Sequence, residues 1–159
     1  MLQESVKVDE KDKKIMKALF DNGRATVAEL EKKTGIRRDS IARRLKKLTD
    51  SEVITGFTPI INPPALGYPN IALLILRTKT GKDESRETFL KKLIGTNSIV
   101  HISKLIGKFD FYCAIVYRDT SHLNEIIEKI KNYVPNYVED FELFQVADDP
   151  KFEDMRGLL

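Results

Sequence analysis

The stretch from Thr26 to Leu48, which reads TVAELEKKTGIRRDSIARRLKKL, constrains this chain more than any other. Two short helical patterns meet in it at Thr34-Gly35, and a glycine is suited to the sharp turn between them. The second pattern keeps apolar residues, Ile41 and Leu45 among them, at the spacing of one helix face. The rest of its surface is basic, small or hydroxyl-bearing, and such a helix suits the major groove of DNA.

Two further helical patterns complete the N-terminal third. Asp9 is a good N-cap for a first helix, and the acid Asp12 follows three residues later. We expect this helix to end at Asn22-Gly23, with the glycine in the left-handed conformation. The predicted buried stripe consists of Ile15, Met16, Leu19 and Phe20. Thr26 caps the second helix, and the third runs from about Arg38 to Asp50. Three helices with a glycine turn before the third are typical of a helix-turn-helix.

The third helix carries the candidate DNA contacts. With Ile41 set as the inward direction and about 100° per residue, Asp39, Arg43 and Lys46 point outward. A basic run is ordinarily only a solvated face, but its place on the third helix favours DNA. Residues 1–60 hold 14 Lys and Arg against 10 Asp and Glu, whereas residues 61–159 hold 13 against 14. The candidate DNA-binding residues are Arg37, Arg38, Ser40, Arg43, Arg44, Lys46 and Lys47.

Composition excludes several other classes of protein. The one cysteine, Cys113, allows no intramolecular disulfide, and no Cys/His cluster has the spacing of metal ligands. The N-terminus lacks the apolar region of a signal peptide. The longest apolar run, Ile71 to Leu76, is too short to span a bilayer. We therefore expect a cytoplasmic protein with no metal, no catalytic residues and no membrane partner.

Residues 8–68 resemble the DNA-binding half of the Lrp/AsnC (leucine-responsive, feast/famine) transcription regulators. The resemblance is carried by VDEKDKKIMKAL, NGRATVAELEKKTGI, SIARRLKKL, VITGF and INPPALGY, in the family's order and spacing. Two positions depart from it. The family usually has Ser at the position of Arg37, where it caps the recognition helix, and Asp39 is the candidate replacement cap. It usually has Gly at the position of Glu52, so the end of the third helix lacks an easy left-handed residue.

The middle of the chain reads as a hinge. Residues 53–61 (VITGFTPII) are rich in β-formers, and we expect a strand there. Residues 62–69 contain three prolines, which cannot continue a helix or a central strand. The resemblance implies that this strand and linker help to hold two headpieces together. The predicted divisions are a helix-turn-helix DNA-binding domain at 1–60, a linker at 61–69, a ferredoxin-like effector-binding and oligomerisation domain at 70–148 and a tail at 149–159.

The C-terminal half alternates strand and helix patterns in the order βαββαβ, which is the ferredoxin-like sandwich. The first strand, IALLIL, is apolar on both faces, although helices cover only one face of such a sheet. A second subunit is the simplest cover for the other face, so we expect a homodimer. The resemblance implies further assembly to a tetramer or octamer. The fold class is therefore α+β: a three-helix, winged-helix-like helix-turn-helix domain, a hinge strand and a C-terminal ferredoxin-like sandwich.

The connection GKFD between the middle strands is the candidate effector site. Gly107 suits the first central position of a two-residue type II′ hairpin. The resembled family has a Gly-x-Tyr/Phe-Asp motif here, near which amino-acid effectors sit, and this implies Gly107, Lys108, Phe109 and Asp110 as effector-binding residues. Asp110 could hold an α-ammonium group and backbone N–H groups a carboxylate. The alternative is that Gly107 only forms the turn and Asp110 only closes the strand end.

The predicted function is a sequence-specific, dimeric DNA-binding transcription regulator, modulated by an amino acid or related small molecule and needing no cofactor. One alternative is an architectural DNA-binding protein of the same fold without an effector. The other is an enzyme resembling the sirohaem decarboxylases, which would need a cavity rich in His and Arg. His101 is isolated and the loop between the middle strands reads GKFD, so the enzymatic alternative is the weakest.

Overall fold

The computed structural model describes residues 6–79, 83–150 and 154–159, which belong to two compact units. The first unit contains the residues up to Ile60 together with the C-terminal segment 154–159, and the second contains Ile61–Pro150. In the first unit α1 spans Glu10–Asp21, α2 spans Val27–Thr34 and α3 spans Arg38–Asp50. This is the predicted helix-turn-helix order.

Side chains at the helix ends explain why α1 and α2 begin where they do. The Asp9 carboxylate accepts from the Asp12 N–H at 2.9 Å, and the Asp12 carboxylate accepts from the Asp9 N–H at 3.1 Å. Thr26 and Glu29 form the same reciprocal capping box on α2. Gly35 then takes the left-handed conformation at φ 71°, which turns the chain into α3.

Two details of α1 differ from the expectation. Gly23 is not left-handed; instead the Asn22 side chain accepts from the Arg24 N–H at 3.0 Å, so a side-chain turn closes the helix. Phe20 was expected in the buried stripe, but 47% of it is exposed. The core of this unit is built from Ile15, Ala18, Leu30, Ile36 and Ile41, with Leu19 and Leu45 packed against it.

The predicted hinge strand is wrong for the single chain, because residues 53–62 form no strand. A strand needs a hydrogen-bonded neighbour, and β-forming residues alone do not provide one. Within this segment the side chains of Phe57, Ile60 and Ile61 are exposed, Ile60 to 82%. The prolines then form a short 3₁₀ turn, Pro63–Leu66, which closes on a left-handed Gly67 at φ 83°.

The second unit is the predicted βαββαβ sandwich. Its elements are β1 (Asn70–Thr78), α4 (Asp83–Ile94), β2 (Ile99–Lys104), β3 (Phe111–Tyr117), α5 (Thr120–Lys131) and β4 (Val138–Gln145). The strands pair antiparallel in the order β2-β3-β1-β4, so the two most apolar strands are central. The α+β fold class is therefore confirmed.

The two faces of this sheet differ. Residues Ala72, Leu74 and Leu76 of β1 are buried in one core with the apolar sides of α4 and α5. The alternate residues Leu73 and Ile75 point to the second face and stay partly exposed. The neighbours of Leu73 and Ile75 on that face are Tyr112, Ala114, Glu142 and Phe144.

The C-terminal segment belongs to the helical unit. It ends in a 3₁₀ turn, Arg156–Leu158. Arg156 Nη1 lies 3.4 Å from Asp21 Oδ1 at the end of α1, and Lys33 of α2 binds the same carboxylate. Both pairs are exposed to solvent, so they contribute little to stability.

Candidate nucleic-acid interface

The inner side of α3 anchors the helix in the headpiece. Ile41 and Leu48 are fully buried, and Leu45 packs against the same core. The basic residues therefore occupy the remaining circumference of the helix. The structure divides them into three groups, according to what each cation contacts.

The first group, Arg44 and Lys47, faces α1. Arg44 Nη1 lies 2.7 Å from carboxylate oxygens of both Asp9 and Asp12. Lys47 Nζ lies 3.2 Å from Asp12 Oδ2 and donates to the Lys7 carbonyl at 2.9 Å. Asp12 is 0% exposed, so this charged cluster is partly desolvated. Its position indicates that it fixes α3 against α1.

The titration of these carboxylates follows from the cluster. The Arg44 hydrogen bond, aided by the Asp12 N–H, lowers the pKa of Asp9 to about 2. Burial of Asp12 acts to raise its pKa, but hydrogen bonds from Arg44, the Asp9 N–H and Lys47 outweigh burial and lower it. Both groups are therefore carboxylates at neutral pH.

Arg44 was among the candidate DNA contacts, and the structure places it apart from the outward surface. It lies about 60° from Ile41 around the helix, since three residues advance by about 300°. Its side chain is only 18% exposed. The rotation of about 100° per residue that places Arg43 on the outward side also places Arg44 towards the core, so the sequence contained this signal. What sequence alone could not supply was the partner Asp12, which is 32 residues distant.

The second group is exposed and paired with acids. Arg38 Nε lies 2.7 Å from Glu31 Oε2 on α2. Lys46 Nζ lies 2.7 Å from Asp50 Oδ2 one turn further along α3. Exposed pairs of this kind contribute little to stability. Both cations stay accessible on the outward half of the helix.

The third group, Arg37 and Arg43, is exposed and forms no ion pair with any residue that the structure describes. Ser40 is half-buried between them along the helix. Arg43 points away from Ile41 by about 160°. The outward surface of α3 therefore presents Arg37, Arg38, Arg43 and Lys46 around Ser40, with Lys47 on its edge.

Both ends of α3 show the departures noted in the sequence. Arg37 occupies the N-cap position and its side chain makes no capping hydrogen bond. Asp39 does not replace it, because no hydrogen bond joins Asp39 to a backbone N–H in the described chain. At the other end Glu52 itself takes the left-handed conformation at φ 56°. That conformation costs a residue with a Cβ about 1–2 kcal/mol relative to glycine.

The candidate effector loop in the second unit is wider than expected. The Leu105 N–H donates to the Asp110 carbonyl at 2.8 Å, so four residues, 106–109, lie between the paired positions. The type II′ two-residue hairpin is therefore wrong, although Gly107 does have a positive φ of 147°. Lys108 Nζ lies 4.7 Å from the centre of the Phe109 ring and 3.5 Å from Glu142.

Asp110 ties this loop to β1. Its Oδ2 accepts from the Thr78 N–H at 2.7 Å and from Thr78 Oγ1 at 2.9 Å. Its own N–H donates to the Leu76 carbonyl at 2.8 Å. Oδ2 of Asp110 therefore closes the strand end, which is the structural alternative to effector binding. The other oxygen, Oδ1, has no hydrogen bond within the described residues.

Other reactive or metal-binding groups contribute little. Burial raises the pKa of the Cys113 thiol to about 12, so it stays protonated on a central strand. In the described residues no cluster of three or more His, Cys, Asp or Glu side chains could hold a metal ion. None of the described helices is long and apolar enough to cross a membrane.

Comparisons with known proteins agree with this geometry. A family model of winged helix-turn-helix DNA-binding domains matches residues 8–55. The HTH-type transcriptional regulator FL11 of Pyrococcus horikoshii is 36% identical over 125 residues, which cover 79% of this chain and 81% of that protein. The leucine-responsive regulatory protein of Rhizobium meliloti is 28% identical over 122 residues, which cover 77% of this chain and 78% of the relative.

The fold is similar to a transcriptional regulator of Neisseria meningitidis solved as a complex with L-methionine. The TM-score is 0.83 at 22% identity, with 92% of this chain and 94% of the other covered. The named relatives are regulators of transcription, so the enzymatic alternative is not supported.

Proposed function

Since this chain belongs to the Lrp/AsnC family of DNA-binding transcription regulators, we propose that it contacts its DNA sites with the outward surface of α3 and works as a homodimer modulated by an amino acid. The observation that carries the proposal is the division of the α3 cations. Buried apolar residues and the Arg44 cluster hold the helix, while Arg37 and Arg43 are exposed and free of ion pairs with described residues. Cations left unpaired on an exposed helix favour a polyanionic partner.

The start of α3 adds a second attraction for a phosphate. The first N–H groups of a helix lack intrahelical partners and carry the positive end of its dipole. Arg37 stands at that position without capping it, and its guanidinium adds a charge beside the unpaired N–H groups. A backbone phosphate fits both features. In this arrangement a phosphate contact at Arg37 sets the position of α3, and residues from Arg38 onward contact base edges.

Charge reversal tests the DNA surface. Arg43→Glu is expected to lower affinity for DNA at least tenfold in a gel shift, because one cation is lost and a repelling acid is added. Lys17→Glu is the matched control, since Lys17 is an exposed lysine on α1 and the charge change is the same. Equal losses in the two variants would contradict the assignment, and so would a wild-type chain that retains no DNA.

The open face of the sheet supports the homodimer. Central-strand residues Leu73 and Ile75 lie on it beside Phe144, which is 48% exposed. Large apolar groups on the face opposite the helices gain from being covered by another protein surface. A second copy presents the same apolar face, and two-fold pairing of identical surfaces is the commonest way to bury it. The exposed segment 57–61 offers unpaired backbone to the same partner.

Light scattering tests the dimer. Phe144→Lys is expected to shift the protein towards the mass of a monomer, because it places a charge within the proposed interface. Ile94→Lys is the matched control, since Ile94 is also exposed but lies on α4, a helix of the opposite face. A wild-type monomer, or a dimer unaffected by Phe144→Lys, would exclude this interface.

The loop at 106–110 is the proposed amino-acid site. Asp110 Oδ1 is left for an ammonium group, and the exposed Lys108 ammonium could exchange Glu142 for a carboxylate. The similar Neisseria regulator was solved with L-methionine, which supports an amino acid as the ligand class. Gly107 and Phe109 would shape the loop around it.

Melting with each of the twenty amino acids tests this site. At least one is expected to raise the melting temperature, and Asp110→Asn should remove that shift while its amide oxygen still accepts from Thr78. Glu125→Gln on α5 is a charge-matched control. If no amino acid shifts melting or assembly, the architectural DNA-binding alternative is favoured, and DNA binding without sequence preference would establish it.

A further inference from the structure

The ion pair between Arg38 and Glu31 has a geometry that bears on which base pairs the protein prefers. Arg38 is the first residue of α3, and Glu31 lies in α2 on the other side of the glycine turn. Glu31 Oε2 accepts from Arg38 Nε at 2.7 Å. Among the described residues, neither terminal nitrogen of Arg38 has a hydrogen bond. The carboxylate therefore occupies the side edge of the guanidinium and leaves the end edge open.

The two edges of a guanidinium have different uses. The end edge, Nη1 and Nη2, is the fork that pairs with O6 and N7 of guanine in the major groove. In Arg44 this end is already occupied, because Nη1 contacts both Asp9 and Asp12. In Arg38 it is free, and the side chain is 64% exposed at the helix end that enters the groove first. Arg38 thus has the open edge and the position for base contact.

Glu31 also reduces the freedom of that side chain. An unrestrained arginine loses rotamer entropy when it pairs with a base, and prior anchoring at Nε removes part of the cost. Glu31 is itself more shielded than Arg38, with 37% of its side chain exposed. Its negative charge repels DNA whatever the sequence. Glu31 should therefore weaken general attraction and strengthen one specific contact, and a mere surface pair would not produce these opposite effects.

We propose that Glu31 is a specificity-determining positioning residue that holds the side edge of Arg38 so that the end edge reads a guanine. The inference rests on the proposed function, in which α3 enters the major groove. A good bidentate arginine–guanine contact discriminates against other bases by roughly 5- to 150-fold. Loss of the Glu31 carboxylate should remove much of this discrimination between bases at one position of the DNA site. The preferences at the other positions should stay unchanged.

The test uses the full-length protein and a randomised double-stranded oligonucleotide pool. Base preferences are selected for the wild type, Arg38→Ala, Glu31→Gln and the double variant. Glu29→Gln is the matched control, because Glu29 lies on the same helix, loses the same charge and still caps α2 as glutamine. Affinity for a scrambled duplex and the melting temperature are measured for every variant.

The expected result is a guanine preference at one position that falls about tenfold or more in both Glu31→Gln and Arg38→Ala. The double variant should match Arg38→Ala, since Glu31 acts only through Arg38. Glu29→Gln should keep the preference, and scrambled-duplex affinity should stay equal or rise in both glutamine variants. The melting temperature of Glu31→Gln should stay within about 2 °C of wild type.

Three results would overturn the inference. The first is a Glu31→Gln variant that keeps the wild-type base preferences. The second is a Glu31→Gln variant whose affinity rises equally for all sequences, as in Glu29→Gln. The third is a wild-type protein that binds DNA without base preference. Failure of the proposed function is distinguishable from all three. In that case the wild type binds neither the pool nor the scrambled duplex, or Arg43→Glu binds as well as the wild type.

Discussion

Arg43 and Arg44 are consecutive residues of the same helix, and they face opposite kinds of surroundings. Arg43 is exposed and has no ion pair with described residues, whereas Arg44 is largely buried against α1. One step of about 100° around the helix separates the two environments. A basic helix is therefore not a uniform DNA-binding surface. Some of its cations orient the helix, and others are left for a ligand.

The energetic consequences of the two arginines should differ accordingly. An exposed pair contributes about 0–1 kcal/mol to stability, since water already solvates both charges. Hydrogen bonds to charged groups that are partly shielded from water contribute about 1.5–3 kcal/mol each. Asp12, at 0% exposure, is the most desolvated member of the inner cluster. The contrast can be measured by changing the two sides of α3 separately.

Removal of Asp12 is expected to have the largest effect. Asp12→Ala should lower the free energy of unfolding of the headpiece by about 2–4 kcal/mol, because Arg44 and Lys47 lose charged hydrogen bonds to it and α1 loses half of its capping box. Urea denaturation followed by circular dichroism measures the change. Asp39→Ala, an exposed acid on α3, is the control and should change stability by less than about 0.5 kcal/mol. Equal stability of the two variants would mean that the inner cluster does not hold α3.

A matched pair of methionine variants compares the two arginines directly. Arg44→Met should lower the free energy of unfolding by about 1.5–3 kcal/mol, the loss of charged hydrogen bonds to Asp9 and Asp12. Arg43→Met should leave stability unchanged within about 0.5 kcal/mol and reduce the slope of log K against log salt for DNA by about 0.9. Denaturation and salt titration of both variants measure the two quantities. If Arg44→Met instead reduces the salt dependence of DNA binding and Arg43→Met lowers the free energy of unfolding, the assigned roles are reversed.

Acid should reduce the difference in stability between Arg44→Met and the wild type. The folded-state pKa values of Asp9 and Asp12 lie below their ordinary value of about 4, Asp9 at about 2. Their contribution to stability is therefore fully present above pH 4 and is lost as pH falls through the folded-state values. Denaturation midpoints of both proteins from pH 6 to pH 2 should converge towards the acid end. A constant gap across that range would show that ionic bonds to Arg44 do not cause it.

Much of this architecture could be predicted from local sequence. The bounds of α3, the capping residues Asp9 and Thr26 and the left-handed Gly35 follow from propensities that act within a few residues. The central place of β1 and β3 also follows from sequence, because the most apolar strands belong in the centre of a sheet. These features need no knowledge of distant contacts.

The predictions that failed, and the contacts that were missed, depend on distant partners or on competing local bonds. Residues 53–61 have β-forming side chains but no adjacent strand in a single chain. Gly23 does not adopt the left-handed conformation, because the Asn22 side chain accepts from the Arg24 N–H and forms the turn instead. The Asp12–Arg44 bond and the Glu31–Arg38 bond both join different helices. Their existence follows from packing angles that periodicity does not specify, and the DNA and effector contacts stay predictions.

The cluster around Asp12 also bears on how the headpiece opens. Residues at the start of α1 are bonded to residues in the second half of α3 that lie 32 to 35 positions later in the chain. Neither helix can leave its place without breaking the same charged hydrogen bonds, so the two form one cooperative unit. In native-state hydrogen exchange, amides of α1 and α3 should share one opening free energy. Amides at the exposed C-terminal end of α2, where Lys33 and Glu31 form exposed ion pairs, should exchange through smaller and earlier openings.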